Sequence, residues 1–172
     1  MQNLLIIFLV IFSLPASSSA AVSSTQKSEL SSLIVQFNRA AEQKDISFFV
    51  ENMPQHLLDS MALRLGKTKQ ELLNDMKMQL GKQIKSEDAM TYSLKSNDIQ
   101  YNIASNGQAY ALITTVKENK RLKVESQTLA IFENARWHLI YGGARAVQNP
   151  AFLLIYPSFE GVELRPDKVI QK

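Results

Sequence analysis

The sequence predicts an α+β domain, with helices first and an antiparallel sheet after them. Three observations carry that expectation. Apolar residues recur at three- and four-residue spacing from residue 25 to residue 84. From about residue 90 the period changes to two, in runs rich in Val, Ile, Thr, Tyr and Phe. Tight-turn signals join those runs: Asn106-Gly107, and the polar four-residue stretch Glu133-Asn134-Ala135-Arg136.

Each element has a local cause. In residues 25–44, Leu30, Leu33, Ile34, Phe37, Ala40 and Ala41 form one apolar stripe. Asp45 is placed to cap a short second helix that buries Ile46, Phe49 and Val50, and Pro54 forbids its continuation. A third helix over 55–65 carries Leu57, Leu58, Met61, Ala62 and Leu65, with Gly66 as a left-handed cap. Thr68 and Glu71 make a capping box that opens a fourth helix through Leu72, Leu73, Met76, Leu80 and Ile84.

Two short strands, 90–94 and 99–104, are expected next, then long strands over 109–116 and 122–132, and a third over 137–141. Along 123–132 the alternation sends Lys123, Glu125 and Gln127 to one face and Val124, Ser126, Thr128, Ala130 and Phe132 to the other. The sheet is therefore expected to have a wet face and a covered face. Asn149-Pro150 starts a short apolar helix or turn over 151–156, residues 159–164 read as an edge strand, and the end of the chain reads as polar and frayed. The division expected is a signal peptide over 1–20, one α+β domain over 21–165 and a polar tail over 166–172.

Composition bounds the function. The chain has 172 residues, 45% of them hydrophobic and 20% charged, enough for an ordinary core. It has no cysteine, which excludes disulfides, thiolate metal sites and cysteine nucleophiles. The net charge is only +3, and the one dense basic stretch, 117–123, is diluted by Glu118, with Glu125 just beyond it. That pattern reads as solvated surface, so no nucleic-acid partner is expected. Residues 4–14 are apolar but for Ser13, then Pro15 and small residues follow: the pattern of a secretory signal peptide. The run is too short to span a bilayer, which takes roughly 20 apolar residues. Its first three residues lack Lys and Arg, which leaves an uncleaved anchor as the alternative. Export to the periplasm or beyond, with no stable membrane anchor after cleavage, is the expectation.

Three pieces of sequence, together with the order of elements, resemble the nuclear-transport-factor-2-like (cystatin-like) superfamily. They are Asn38-Arg39-Ala40-Ala41-Glu42-Gln43-Lys44-Asp45, Gly107-Gln108-Ala109-Tyr110-Ala111-Leu112-Ile113, and Phe132-Glu133-Asn134-Ala135-Arg136-Trp137-His138-Leu139-Ile140. The resemblance implies a strongly bent sheet wrapped round a long helix, a cone whose mouth often holds a ligand. The stretch 54–85 is longer than the simplest members of that superfamily require, and residues 155–162 lie outside the minimal cone. Fold does not decide function there.

Catalytic chemistry finds little support. His56 and His138 are far apart and have no metal-ligand spacing, so they read as structural histidines. Ketosteroid isomerases of the same superfamily use an aspartate with tyrosine, and Asp45, Tyr92, Tyr110 and Tyr141 supply those types. Asp45 nonetheless reads first as a helix cap. No Gly-x-Ser-x-Gly is present, and Gly142-Gly143 lacks the Lys-Ser/Thr of a phosphate loop. Phe37, Phe48, Phe49, Tyr110, Phe132, Trp137 and Tyr141 read most economically as core. Small residues at Ser126, Thr128 and Ala130 leave room for helix side chains or for a ligand. The ligand-binding candidates are Tyr110, Thr128, Trp137 and Tyr141, with no catalytic residue, metal or cofactor. The expected function is an exported, non-catalytic domain that engages a small ligand or a protein partner, an immunity-type protein being one version. The alternatives are a lyase or isomerase of the cone type and an envelope carrier of an apolar molecule. A dimer through the sheet face is open.

Overall fold

The computed structural model describes residues 21–84 and 89–172. The expected signal peptide lies outside them. Four helices come first: α1 (Ser24–Gln43), α2 (Ile46–Glu51), α3 (Gln55–Arg64) and α4 (Lys69–Ile84). Ser23 and Gln26 make a reciprocal capping box at the start of α1, and Asp45 accepts from the Phe48 amide at 3.2 Å to start α2. Thr68 and Glu71 do the same for α4, the Glu71 carboxylate taking the Thr68 amide at 2.8 Å. Each side-chain cap satisfies amides that the first helical turn leaves open.

The sheet is antiparallel, in the order β1 (Thr91–Ile103), β2 (Ala109–Glu118), β3 (Leu122–Glu133), β4 (Arg136–Ile140). The two short strands expected at its start are one strand with a break in register. Leu94 pairs with Thr115 and Ile99 with Ile113, so five steps along β1 run against two along β2. Asn38 of α1 holds the start of this bulge from the side. Its amide donates to the Leu94 carbonyl at 3.0 Å and its carbonyl accepts from the Leu94 amide at 2.8 Å. The β3–β4 hairpin turns at Asn134 and Ala135, both with positive φ, as a two-residue turn between right-twisted strands requires. β4 is shielded along its outer side, where the Leu139 amide donates to the Asn52 carbonyl at 2.9 Å.

Beyond β4 the chain corrects the expectation of a wet face. It forms α5 (Gly143–Val147), α6 (Pro150–Ile155) and a 3-10 turn (Pro157–Phe159). These cover the face on which polar residues were expected to meet solvent. Residues 126–131 of β3 are buried without a break. On this rear face Leu112, Leu129, Ile131 and Ile140 pack with Leu57 and Leu58 of α3, Val147, Phe152, Tyr156 and Phe159. Gln127 is buried there; its side-chain oxygen accepts the Arg165 amide at 2.7 Å, while its Nε2 meets no partner among the described residues. On the front face Ala111, Ile113, Ala130, Trp137 and Leu139 pack with Leu30, Leu33, Ile34 and Phe37 of α1.

Residues 159–164 are not an edge strand; Phe159 and Leu164 serve the rear core instead. The edge strand lies further on, in the stretch expected to be a frayed tail. β5 (Lys168–Gln171) pairs with β3 from Leu122↔Gln171 to Glu125↔Lys168. It occupies the side of β3 that β4 leaves open, since β4 reaches only Leu129 to Glu133.

Candidate functional site

The front face is filled under α1 but hollow under α4. A cavity of about 540 Å³ lies between α4, α2 and the sheet. The helical side sets Phe49, Met76, Leu80 and Ile84 beside Asp75, Gln79 and Gln83 of α4, and Met90 adds apolar surface just before β1. The sheet side is made by Tyr92, Thr115, Lys117, Thr128 and Tyr141. The hollow follows from side-chain size. Thr115 and Thr128 stand where Ile113 and Ala130 fill the neighbouring rows under α1, and α4 packs mainly on α2 and α3. Gly81 of α4 sits against Ile46, and an added Cβ there would be 3.4 Å from the Ile46 Cδ1. The chain also turns away sharply after Tyr141. Gly142 has φ of 107°, a conformation that side chains rarely take, and a Cβ on it would stand 2.9 Å from that of Ala146.

The polar groups of the cavity are few. The Thr115 and Thr128 hydroxyls are 2.6 Å apart and share a hydrogen bond. The Tyr141 ring borders the cavity, but its hydroxyl is shielded from it and meets no hydrogen-bond partner among the described residues. Burial pushes its phenol well above the usual tyrosine range, so the group stays neutral and able to donate and accept once. Its ring is fixed between Phe37, at 6.3 Å, and Phe49, at 6.1 Å. Asp75 reaches the cavity from α4 and is ion-paired with Lys67. Lys117 is half-buried and is the cation of the lining among the described residues.

The four expected ligand residues divide. Thr128 and Tyr141 line the cavity together. Tyr110 is on the rear face, its ring 5.4 Å from that of Phe159. Trp137 belongs to the front core, 3% exposed, with its indole N–H donated to the Gln26 carbonyl at 2.7 Å and its ring 5.4 Å from Phe132. A smaller hollow of about 260 Å³ touches Trp137 from outside, between Leu33, Gln36 and Arg136. The sequence reading missed Met76, Leu80 and Lys117. The first two read as an ordinary core stripe and the third as surface.

The candidate acids and bases lie elsewhere. Asp45 is exposed at its cap and does not line the cavity. His138 is fully buried on the rear face. Arg136 donates its Nε–H to His138 Nε2 at 3.2 Å, so Nδ1 carries the proton and gives it to the Met53 carbonyl, also at 3.2 Å. Burial, and then the Arg136 charge, hold this imidazole below the usual histidine range. Nearby, Tyr156 donates to Glu133 at 2.9 Å. His56 is exposed, 6.0 Å from the Tyr156 ring. Among the described residues, no cluster of three or more His, Asp or Glu side chains is placed to hold a metal ion, and no helix is long and apolar enough to cross a membrane.

Compared with family models, with curated proteins and with solved structures, the chain gives no match in any of the three.

Proposed function

We propose that this chain is an exported binding protein that takes an apolar small molecule into the cavity beneath α4, without catalysing its conversion. The observation that carries the reading is the cavity: about 540 Å³, mostly apolar in surface, with polar groups spaced along both α4 and the sheet. Small-molecule sites have volumes of roughly 300–1,000 Å³ and just this balance of apolar wall and sparse polar points. Helices followed by an antiparallel sheet, with a hollow between them, support the resemblance to the nuclear-transport-factor-2-like cone. Export is supported by the apolar segment over 4–14 and the small residues after it. The cavity favours a small ligand over a protein partner, and so a carrier over an immunity-type protein. An isomerase reading has lost its first base, because Asp45 faces solvent. A dimer through the sheet would have only a reduced surface, since residues 143–164 cover much of the rear face.

The test is a neutral apolar dye, N-phenyl-1-naphthylamine. Saturable fluorescence enhancement near one equivalent is expected, and Leu80→Trp, which fills the cavity from α4, should abolish it while the protein stays folded. Absent enhancement, or enhancement unchanged by a folded Leu80→Trp variant, would refute the reading.

A further inference from the structure

We infer that the open side of β4 takes a short extended peptide, paired through its main chain with Trp137 in the smaller hollow beside α1. The inference does not depend on the cavity beneath α4. Main-chain direction and the shape of the hollow carry it.

Direction follows from one hydrogen bond. Among the described residues β4 ends the sheet, with β3 as its strand partner. The Leu139 amide donates to the Asn52 carbonyl at 2.9 Å, so the main-chain groups of Leu139 point away from β3. In an antiparallel ladder that direction repeats at every second residue. Trp137 therefore also turns its N–H and C=O outward, while Arg136 and His138 turn theirs to β3. The Trp137 indole is satisfied by the Gln26 carbonyl. Its outward main-chain pair meets no partner among the described residues.

Buried main-chain groups need partners, and an open donor and acceptor on a strand edge is a template for another extended segment. Asn52 already holds the place of one residue of such a segment. The next place along the edge is open.

That place is the hollow of about 260 Å³, bordered by Ala135, Arg136 and Trp137 of the hairpin, by Asn52, and by Glu29, Leu33 and Gln36 of α1. The three α1 residues follow one another at four- and three-residue spacing, so they form a single ridge. Seven residues of helix make that ridge about 10 Å long, the length of roughly three residues of extended chain. Leu33 gives the ridge an apolar middle. Gln36 is exposed and engaged by no described residue, so its side-chain amide is available to the outer edge of an added strand. The charged residues of the lining, Glu29 and Arg136, are opposite in sign. Arg136 is also drawn to His138 by its Nε–H. The hollow thus offers main-chain pairing rather than a net charge, and an uncharged peptide is the fitting occupant.

The experiment follows the fluorescence anisotropy of a labelled, capped pentapeptide alternating threonine and valine, titrated with the full mature chain. Saturable binding near one equivalent is expected, little changed between about 0.05 and 0.5 M salt because the contacts are neutral. The same peptide with every main-chain amide N-methylated keeps its side chains but loses its donors, and should bind at least about tenfold more weakly. Gln36→Trp, which fills the hollow from α1, should weaken the unmodified peptide by a similar factor. Val35→Trp, at an exposed neighbour on the same helix that does not border the hollow, should leave binding unchanged. Both positions are exposed, so both variants should keep the wild-type melting midpoint. Absence of saturable binding would overturn the inference, as would equal binding of the N-methylated peptide or binding that Gln36→Trp leaves intact. None of these outcomes bears on the cavity beneath α4, which the dye tests separately.

Discussion

The two faces of the sheet are both covered, but by different means and with different results. On the rear face, segments from the end of the chain fold back and fit their aromatics together: Phe159 lies 5.4 Å from Tyr110, 6.2 Å from Phe152 and 6.1 Å from Tyr156. On the front face, α1 fills its half with Leu30, Ile34 and Phe37, while α4 spans the other half above two threonines. A face completed by short, adaptable segments packs solid. A face roofed by one long helix over small strand residues keeps a hollow, because the helix is propped by its neighbours α2 and α3. Stability should therefore reside mainly in the rear core and the α1 half, and binding in the α4 half.

The largest effects should come from emptying the solid parts. Phe159→Ala should cost about 3–5 kcal/mol, the range for removing a fully buried aromatic ring. Trp137→Ala should cost about the same, since it removes ring packing and a buried hydrogen bond to Gln26. Chemical denaturation measures both. Trp137 also reports on its own surroundings. Its emission should be blue-shifted and protected from a soluble quencher, and red-shifted, quenchable emission would place it outside the core.

Next in size is the response of the rear face to acid. His138 is buried neutral, with its pKa held below the usual value of 6.5. The unfolded chain takes up a proton as pH falls through about 6.5, while the folded chain does not until lower pH. Stability owed to this group is thus complete above that value and is lost as pH drops below it, by at most about 1.4 kcal/mol per pH unit for one proton. Glu133, close by, opposes the effect and Arg136 reinforces it. His138→Asn keeps a donor for the Met53 carbonyl and should flatten the loss between pH 7 and 5. An equally steep loss in the variant would show that other groups govern it.

Most of the helical half was legible because its signals are local. The Asp45 cap, the Thr68–Glu71 box, the left-handed Gly66 and the apolar stripes need only a few neighbouring residues to be read. β2, β3, β4 and both turns were legible for the same reason. What escaped depends on distant partners. Gln127 looked solvent-facing, and it is covered by segments from the end of the chain, where the Arg165 amide, 38 residues on, reaches its side-chain oxygen. β5 is only four residues long, Lys168 to Gln171, and it pairs where β4 is too short to cover β3. Half of the site was legible from small residues on a covered strand face, which singled out Thr128. The α4 side was not, since Met76 and Leu80 have helical core spacing whether they touch a core or a cavity.

Smaller effects are expected around the hollow. Leu80→Ala should cost about 1–2 kcal/mol, less than the 2–5 kcal/mol usual for a closely packed leucine, because one side of Leu80 already faces open space. If it costs as much as Phe159→Ala, the cavity is filled by the protein itself and the contrast between the faces fails.

The smallest effect should also have the opposite sign. Tyr141→Phe removes a buried hydroxyl that has no partner, and leaves the ring between Phe37 and Phe49. At a packed site, deleting a phenol oxygen usually loses a hydrogen bond worth about 1 kcal/mol. Here there is no bond to lose, only the desolvation of an unsatisfied group. The variant should be as stable as the wild type or more stable by up to about 1 kcal/mol. Tyr156→Phe is the matched comparison on the rear face, where the hydroxyl donates to Glu133 at 2.9 Å. That variant should lose stability, since it strands a second oxygen of a carboxylate that already has one buried without a partner. Paired melts of the two variants read the difference directly. Equal losses would mean that the Tyr141 hydroxyl has a partner in solution.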